Sequence, residues 1–265
     1  MSYETIAVER IGAITRIALD RPEKRNAVND QVHDELREAL AALERDDSAR
    51  GLILTGTGDR AFCSGQDLSA RTPPKDGRPV RDLGAGLEKS YNALIRRLRD
   101  LPMPIVTALN GVAAGAGAGL ALAGDVMVAA RSASMVISFA RIGLVPDAGV
   151  THHLPRLIGE GRALAAALTM EPIDAEKLQA WGIAWQVVDF AELPAASLAL
   201  VERLAALPPK AVVGTRRLMR SALGNDLNTQ LALERDLQRE CGFSRDYGEG
   251  VNAFLEKRPA KFTGR

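Results

Sequence analysis

Apolar positions follow two different periods along the first 190 residues. Short β-rich apolar runs bounded by turn residues predict strands, and they fall at 5–9, 13–19, 51–56, 104–109, 125–129, 134–138 and 184–188. Apolar residues spaced three or four apart predict amphipathic helices. Two such sets occur, at Val32, Leu36, Leu40 and Leu43 and at Leu87, Tyr91, Leu94 and Leu98. Strands that alternate with helices across long crossovers indicate a parallel α/β core.

Helical patterns dominate the chain from about residue 160 onward. They predict helices over 160–169, 174–181, 191–206, 209–222, 226–241 and 244–256. We therefore predict two regions, an α/β core of residues 1–190 and a helical C-terminal region of residues 191–265. A helical region of this kind either packs back on the core or joins subunits.

The charge balance excludes several classes of protein. Lys and Arg number 34 against 33 for Asp and Glu, a net charge of +1, which argues against a nucleic-acid or membrane-surface partner. The N-terminus lacks a secretory signal, and no run of about 18 apolar residues predicts a membrane span. Cys63 and Cys241 match no metal or disulfide pattern, so a reducing cytoplasm is the expected location. A soluble enzyme is the favoured class.

Two glycine-containing loops are the candidates for chemistry. Residues 109–124 are nearly all glycine and alanine, so this stretch can offer a ligand only backbone groups. A second loop, Phe62-Cys-Ser-Gly-Gln-Asp-Leu, also follows a predicted strand. Two such loops on neighbouring strands can supply the two N–H donors that an oxyanion requires. The alternative is that the small residues only let a helix lie close to a sheet.

Five motifs, in order, resemble those of the crotonase, or enoyl-CoA hydratase/isomerase, superfamily. They are Arg21-Pro22 with Asn26-Ala27, Phe62-Cys-Ser-Gly-Gln-Asp-Leu, Asn110-Gly-Val-Ala-Ala-Gly-Ala-Gly, Gly143-Leu-Val-Pro and Ala253-Phe-Leu-Glu-Lys-Arg. The resemblance implies a crotonase-like spiral of ββα units with a C-terminal helical trimerisation region, and hence a homotrimer or a dimer of trimers. It also implies an acyl-CoA thioester substrate, so that coenzyme A is part of the substrate and no separate cofactor is needed.

The same resemblance implies a set of site residues. The oxyanion donors would be the backbone N–H groups of Gln66 and Ala116; family members have glycine at the second position, but alanine keeps the N–H. Contacts to CoA and the acyl group would come from Arg25, Ala27, Ser64, Asp67, Leu68, Phe139, Phe254 and Lys257. For Asp67 the competing interpretation is a loop carboxylate that accepts nearby N–H groups.

Departures from the family pattern point to isomerisation. Hydratases of the family carry two glutamates at the positions of Gly119 and Phe139, and neither residue here can move a proton. Asp147 stands where hydratases usually have glycine, and members with aspartate there include isomerases. We expect Asp147 to take a proton from the bound thioester and return it elsewhere, in a ring-epoxide or a 3-enoyl to 2-enoyl isomerisation. Its competing role is a helix N-cap.

Three alternatives stay open. A hydratase is the nearest one, and a non-catalytic acyl-CoA-binding protein is the second. A dinucleotide oxidoreductase is the third, because a strand precedes Gly115-Ala-Gly117, although the third glycine of that motif would fall at Leu120. The choice of acyl group is expected to depend on scattered positions and on the loop 70–81.

Other reactive side chains have simpler structural interpretations. The adjacent His152 and His153 point about 100° apart on a helix and suit one metal poorly. Cys63 has no histidine near it in sequence and is expected to be a buried thiol. Arg96, Arg97 and Arg99 are expected on a solvated helix face.

Overall fold

The structure is a computed structural model that describes residues 3–71 and 82–264. The loop 70–81, on which the choice of acyl group is expected to depend, lies almost wholly outside these residues. The strands are β1 (Ile6–Ile11), β2 (Ile14–Leu19), β3 (Gly51–Gly56), β4 (Ala61–Cys63), β5 (Ile105–Leu109), β6 (Val112–Ala114), β7 (Val126–Ala130), β8 (Ser134–Val136), β9 (Ile173–Asp174) and β10 (Gln186–Val188).

Most predicted helices are present with bounds close to those expected. They are α1 (Asp30–Glu44), α2 (Leu83–Leu87), α3 (Ala93–Asp100), α4 (Ala116–Leu122), α5 (Val150–Ile158), α6 (Glu160–Thr169), α7 (Ala175–Ala180), α8 (Leu193–Ala205), α9 (Pro209–Ser221), α10 (Leu227–Gly242) and α11 (Arg245–Leu255). A π-helical turn over 88–92 joins α2 to α3. None of these helices, within the described ranges, has the length and apolar character to cross a membrane.

The strands form two sheets, and from β3 to β8 successive strands alternate between them. One sheet has the order β1-β2-β3-β5-β7-β10 and the other β4-β6-β8-β9. Pairing is parallel except between β1 and β2 and between β8 and β9. From β3 to β8 each turn of the chain therefore adds one strand to each sheet before a helix follows. This arrangement confirms the predicted parallel α/β core and its ββα repeat.

The C-terminal region begins by packing on the larger sheet. Helix α8 lies against β3, β5 and β7. Gly51 permits the close approach, because a β-carbon there would stand 2.7 Å from Cγ2 of Val201. Both partners are buried, so α8 is part of the core packing. The division of the chain at residue 190 stays a prediction.

The prediction missed three strands that contain two or three residues each, β4, β6 and β9. Such segments are too short to show a period. β4 and β6 pair with each other, and β6 and β9 both pair with β8. Their strand conformation therefore comes from segments that lie far away in sequence.

Candidate active site

The two candidate loops lie side by side because the strands that they follow are neighbours. β4 pairs with β6 in parallel, so the two loops that follow these strands leave the sheet at the same edge. Gly65 makes the close approach possible. A β-carbon there would stand 2.8 Å from the carbonyl oxygen of Ala114 and 3.4 Å from the nitrogen of Ala116, and its φ is +92°. The structure thus brings Gln66 and Ala116, two predicted site residues, into one place.

Both predicted donor N–H groups are left unused by the protein. The N–H of Val28 donates to Gly65 at 2.8 Å and the N–H of Asp67 donates to Val28 at 2.8 Å, so the N–H of Gln66, between them, faces away from Val28. Ala116 is the first residue of α4, whose N–H has no acceptor inside the helix. Within the described residues neither N–H donates a hydrogen bond. Donation by this pair to a substrate stays a prediction.

The turn that carries Asp147 packs on the same helix. Asp147 is half-buried, and the next residue, Ala148, is buried with φ +49°. A β-carbon on Gly119 would stand only 2.4 Å from the carbonyl oxygen of Ala148. Gly119 follows Ala116 by three residues, a rise of about 4.5 Å along α4. The chain therefore places the Asp147 turn one helical turn away from a predicted donor.

The N-cap interpretation of Asp147 is wrong. Helix α5 begins at Val150, and its N-cap residue is Gly149, which has no side chain to accept an N–H. Asp147 instead accepts the N–H of Val150 through its backbone oxygen, at 3.0 Å. The N-cap position of α5 is therefore occupied by Gly149 and not by Asp147.

The segment that contains Arg25 and Ala27 lies beside Ser64 in the loop after β4. We call these three residues the Arg25 ledge. The N–H of Ser64 donates to the carbonyl of Arg25 at 3.0 Å, and its hydroxyl donates to the carbonyl of Lys24 at 3.3 Å. Arg21 donates to the carbonyl of Ala27 at 2.6 Å. The side chains of Lys24 and Arg25 are exposed. The predicted contacts of the Arg25 ledge with CoA stay predictions.

Asp67 has a structural task of its own. Its Oδ1 accepts the hydroxyl of Ser69 at 2.6 Å and the N–H of Ser69 at 3.1 Å, while Oδ2 accepts from Arg21 at 3.0 Å. The bonds from the Ser69 hydroxyl and from Arg21 lower the pKa of Asp67 to about 2. The loop-carboxylate interpretation is confirmed, and Leu68 beside it is exposed. A contact of these two residues with substrate stays a prediction.

Three further predicted site residues differ in their exposure to solvent. Phe139 is buried in the short 3₁₀ turn after β8. Phe254, on α11, is 81% exposed, and Lys257 is exposed just beyond that helix. Among the described hydrogen bonds, none of α11 reaches the loops of Gln66 and Ala116. Contacts of Phe139, Phe254 and Lys257 with a substrate stay predictions.

Two buried asparagines support the site, and sequence reasoning missed their role. The amide groups of Asn26 and Asn110 both donate to the carbonyl of Ala61, at 2.8 and 3.2 Å. Asn110 also accepts the N–H of Gly56 at 3.1 Å. Their hydrogen bonds connect the turn between β3 and β4 with the segment that contains Asn26 and with the segment that contains Asn110. Each stands in a recognised motif, but its partners are distant in sequence.

His152, His153 and the neighbouring Arg99 line one pocket of the structure. The rings of His152 and His153 lie 5.0 Å apart and nearly perpendicular. Burial and the nearby Arg99 lower the pKa of His153 to about 3. The expectation of a solvated Arg99 is wrong, because Arg99 is half-buried. Its burial and repulsion by Arg220 lower its pKa to about 10. In residues 3–71 and 82–264 no group of three or more His, Cys, Asp or Glu side chains could hold a metal.

Cys63 is expected to be unreactive in the folded protein. It is buried, as predicted, and burial raises the pKa of its thiol to about 12, so at neutral pH the nucleophilic thiolate is absent. Titration of the native protein with a thiol-specific disulfide reagent should therefore label Cys241, which is half-buried, and leave Cys63 unlabelled until denaturant is added. Rapid labelling of Cys63 in a Cys241→Ser variant would contradict this prediction.

Comparisons with known proteins agree with this architecture. The family model described as enoyl-CoA hydratase/isomerase matches residues 9–265. The chain is 48% identical to the 1,2-epoxyphenylacetyl-CoA isomerase of Escherichia coli K12 over 95% of each chain, and 45% identical to a Rhodobacter capsulatus protein named "Probable enoyl-CoA hydratase" over 100% of each. The crystal structure of an enoyl-CoA hydratase from Bacillus anthracis matches with a TM-score of 0.92 at 30% identity, covering 99% of this chain and 100% of that one.

These similarities confirm the resemblance that the five motifs indicated. The two sheets, with strands that alternate between them, form the crotonase-like α/β fold that the resemblance implied. The protein belongs to the enoyl-CoA hydratase/isomerase family.

Proposed function

We propose that the protein is an acyl-CoA isomerase. The thioester carbonyl accepts hydrogen bonds from the N–H groups of Gln66 and Ala116, which stabilise the enolate that forms when a proton leaves the acyl chain. Asp147 takes that proton and returns it at another carbon. Coenzyme A enters as part of the substrate, and this chemistry needs no further cofactor.

One observation carries the proposal. The Asp147 turn packs on α4 one turn beyond Ala116, at Gly119, where a β-carbon would stand 2.4 Å from a backbone oxygen. This backbone therefore accepts an aspartate near the donor pair and leaves no room for a glutamate at residue 119. The exposed apolar side chains of Ile142, Leu144 and Val145, just before Asp147, support binding of an apolar acyl group.

Two acyl substrates fit this proposal. The relative from Escherichia coli, a 1,2-epoxyphenylacetyl-CoA isomerase, supports 2-(1,2-epoxy-1,2-dihydrophenyl)acetyl-CoA and hence a step in phenylacetate breakdown. Proton transfer from the α to the γ carbon by one carboxylate supports 3-enoyl to 2-enoyl isomerisation. The second candidate function is hydration, which the name of the Rhodobacter relative favours. Against it stand Gly119 and Phe139 at the positions of the hydratase glutamates.

A panel of CoA esters tests the function directly. Purified protein is incubated with a 3-enoyl, a 2-enoyl and a ring-epoxide CoA ester, and products are identified by mass and ultraviolet absorbance. Isomerisation leaves the mass unchanged, whereas hydration adds one water. A parallel incubation in heavy water follows deuterium exchange into a saturated acyl-CoA ester. A product heavier by one water makes the protein a hydratase, and no turnover with no exchange makes it a non-catalytic acyl-CoA-binding protein.

Removing one donor should reduce turnover more than binding. Ala116→Pro deletes the N–H at the first residue of α4, a position that proline tolerates in helices. We expect kcat to fall by about a hundredfold, since one oxyanion donor contributes roughly that much, with a smaller change in KM. The matched control is Asp30→Pro, at the exposed first residue of α1, which should keep wild-type kcat. Wild-type kcat in Ala116→Pro would contradict the role of this donor.

We also propose that the protein assembles as a homotrimer or a dimer of trimers. In the described chain α10 buries none of its residues, and Leu223, Leu227, Phe243 and Phe254 are all more than two-thirds exposed. An exposed apolar surface of this extent marks an interaction site. Light scattering coupled to size exclusion should give three or six times the mass of one chain. A monomer at micromolar concentration would contradict the assembly.

A further inference from the structure

Helix α4 contacts the β4 strand before Gln66 and the turn that carries Asp147, and it does so through glycine residues. A β-carbon on Gly117 would stand 2.2 Å from the carbonyl oxygen of Cys63, on the strand that leads to Gln66. One β-carbon on Gly119 would stand 2.4 Å from the oxygen and 2.6 Å from the β-carbon of Ala148. The helix backbone is therefore in direct contact with the segment before one donor and with the turn that carries the acid.

The acid-bearing turn is held on its other sides as well. Gly149 has φ +80°, and a β-carbon there would stand 3.3 Å from the ring of His153 on α5 and 3.5 Å from Cγ2 of Ile95 on α3. Ala148 itself has φ +49° and is buried. A left-handed backbone at a non-glycine residue persists only where its surroundings hold it. Three helices supply those surroundings.

We propose that Gly119 is a positioning residue, which sets the distance between the Asp147 carboxylate and the donor pair by letting the Ala148 peptide lie directly on α4. The inference rests on the proposed function, because that function gives Asp147 the proton transfer. The atoms in contact are backbone atoms and a methyl group, which cannot rotate away as a long side chain can. A change of one methyl group at residue 119 must therefore move the turn or the helix.

Gly119→Ala tests the proposal with the smallest addition of atoms. We expect kcat for isomerisation to fall by about a hundredfold, because misplacing a catalytic group by about 1 Å can lower the rate by this factor. KM should change less than about threefold, because the CoA contacts are elsewhere. A purely structural role would instead lower the amount of folded protein at unchanged kcat per active site, and wild-type kcat in Gly119→Ala overturns the proposal.

The matched control is Gly161→Ala on α6. It makes the same chemical change in a helix where a β-carbon would meet no atom within 4 Å, and kcat should stay at the wild-type value. The double variant Gly119→Ala/Ala148→Gly removes the opposing methyl group and frees the turn. It should regain about tenfold in kcat over Gly119→Ala, because a glycine turn can move to make room; no regain would overturn the proposal.

Crystal structures of the wild-type and Gly119→Ala proteins give a readout that needs no activity. The distance from Cγ of Asp147 to the nitrogen of Ala116 should differ between them by about 1 Å, the displacement that the rate loss requires. An unchanged distance overturns the proposal even if kcat falls. If the wild type isomerises none of the CoA esters, the proposed function fails, and this distance still decides whether Gly119 positions the turn.

Should Gly119→Ala fail to fold, Ala148→Gly alone decides the question. This variant adds no atom and places glycine at a left-handed φ, which glycine adopts readily, so the thermal midpoint should change little. Loss of the methyl contact with Gly119 should loosen the turn and lower kcat by about tenfold, a fraction of the loss for full misplacement. An unchanged kcat would overturn the proposal.

Discussion

Asp147→Asn lowers kcat for isomerisation of a CoA ester by about a thousandfold, because amide nitrogen and oxygen cannot accept and return a proton as a carboxylate does. Asparagine keeps the size of the side chain, so the turn over 147–149 and its packing on Gly119 should persist. The expected measurement is steady-state kcat with the best ester of the panel, together with the Kd of a saturated acyl-CoA ester. That Kd should stay within about threefold of the wild-type value, since the donor pair and the CoA contacts are unchanged.

The matched control for this experiment is Asp189→Asn. Asp189 is an exposed carboxylate paired with Arg131 at 3.0 Å, so the same chemical change there should leave kcat unaltered. Deuterium exchange into the saturated ester should disappear in Asp147→Asn and persist in the control. Turnover at the wild-type rate in Asp147→Asn would remove this residue from the mechanism and leave the donor pair without an acid.

Asp125→Asn should lower the free energy of unfolding by about 3 kcal/mol, the lower end of the range for breaking a buried ion pair. The Asp125 carboxylate, 13% exposed, accepts from Arg216, from Arg220 and from the N–H of Ile105. Arg216 is 9% exposed in its side chain. Neutralising the acid leaves two cations in a buried place beside Arg99, and Coulomb repulsion among them is no longer offset.

Denaturant unfolding at matched protein concentration measures this effect. Asp189→Asn again serves as the control, because its ion pair with Arg131 has exposed side chains, 69% and 63%, and pairs of this kind contribute little. The two variants remove the same charge, in one case from a buried cluster with two arginines and in the other from an exposed pair with one. Equal unfolding midpoints for Asp125→Asn and the wild type would show that the cluster does not stabilise the fold.

The chain alone was sufficient for much of the fold. The bounds of α1, α6 and α9 agree with the helical periods to within a few residues, because each helix has one apolar face and ends at a polar or glycine-containing stretch. β6, with three residues and small side chains, shows no such period. Its conformation is imposed by β4 and β8, so no local pattern could reveal it.

Some features of the candidate site could likewise be predicted from the sequence, and others could not. The resemblance to the family was enough to propose Gln66, Ala116 and Asp147 as site residues, because the motifs that contain them are contiguous. The same motifs named Asn26 and Asn110 without showing that both donate to Ala61. Phe254 and Lys257 are a different case: their positions match the family pattern, and the structure shows only that both are exposed.

The sequence by itself determined most of the strands and helices, the glycine-rich loops and the family, because each depends on short stretches of residues that are close together along the chain. Only the tertiary structure decided which N–H groups stay without an acceptor, and that Gly119 lies against Ala148 with no space for a side chain. The physical reason is that hydrogen-bond satisfaction and close contact are properties of pairs of segments. Those segments meet only when the two sheets and α4 have come together.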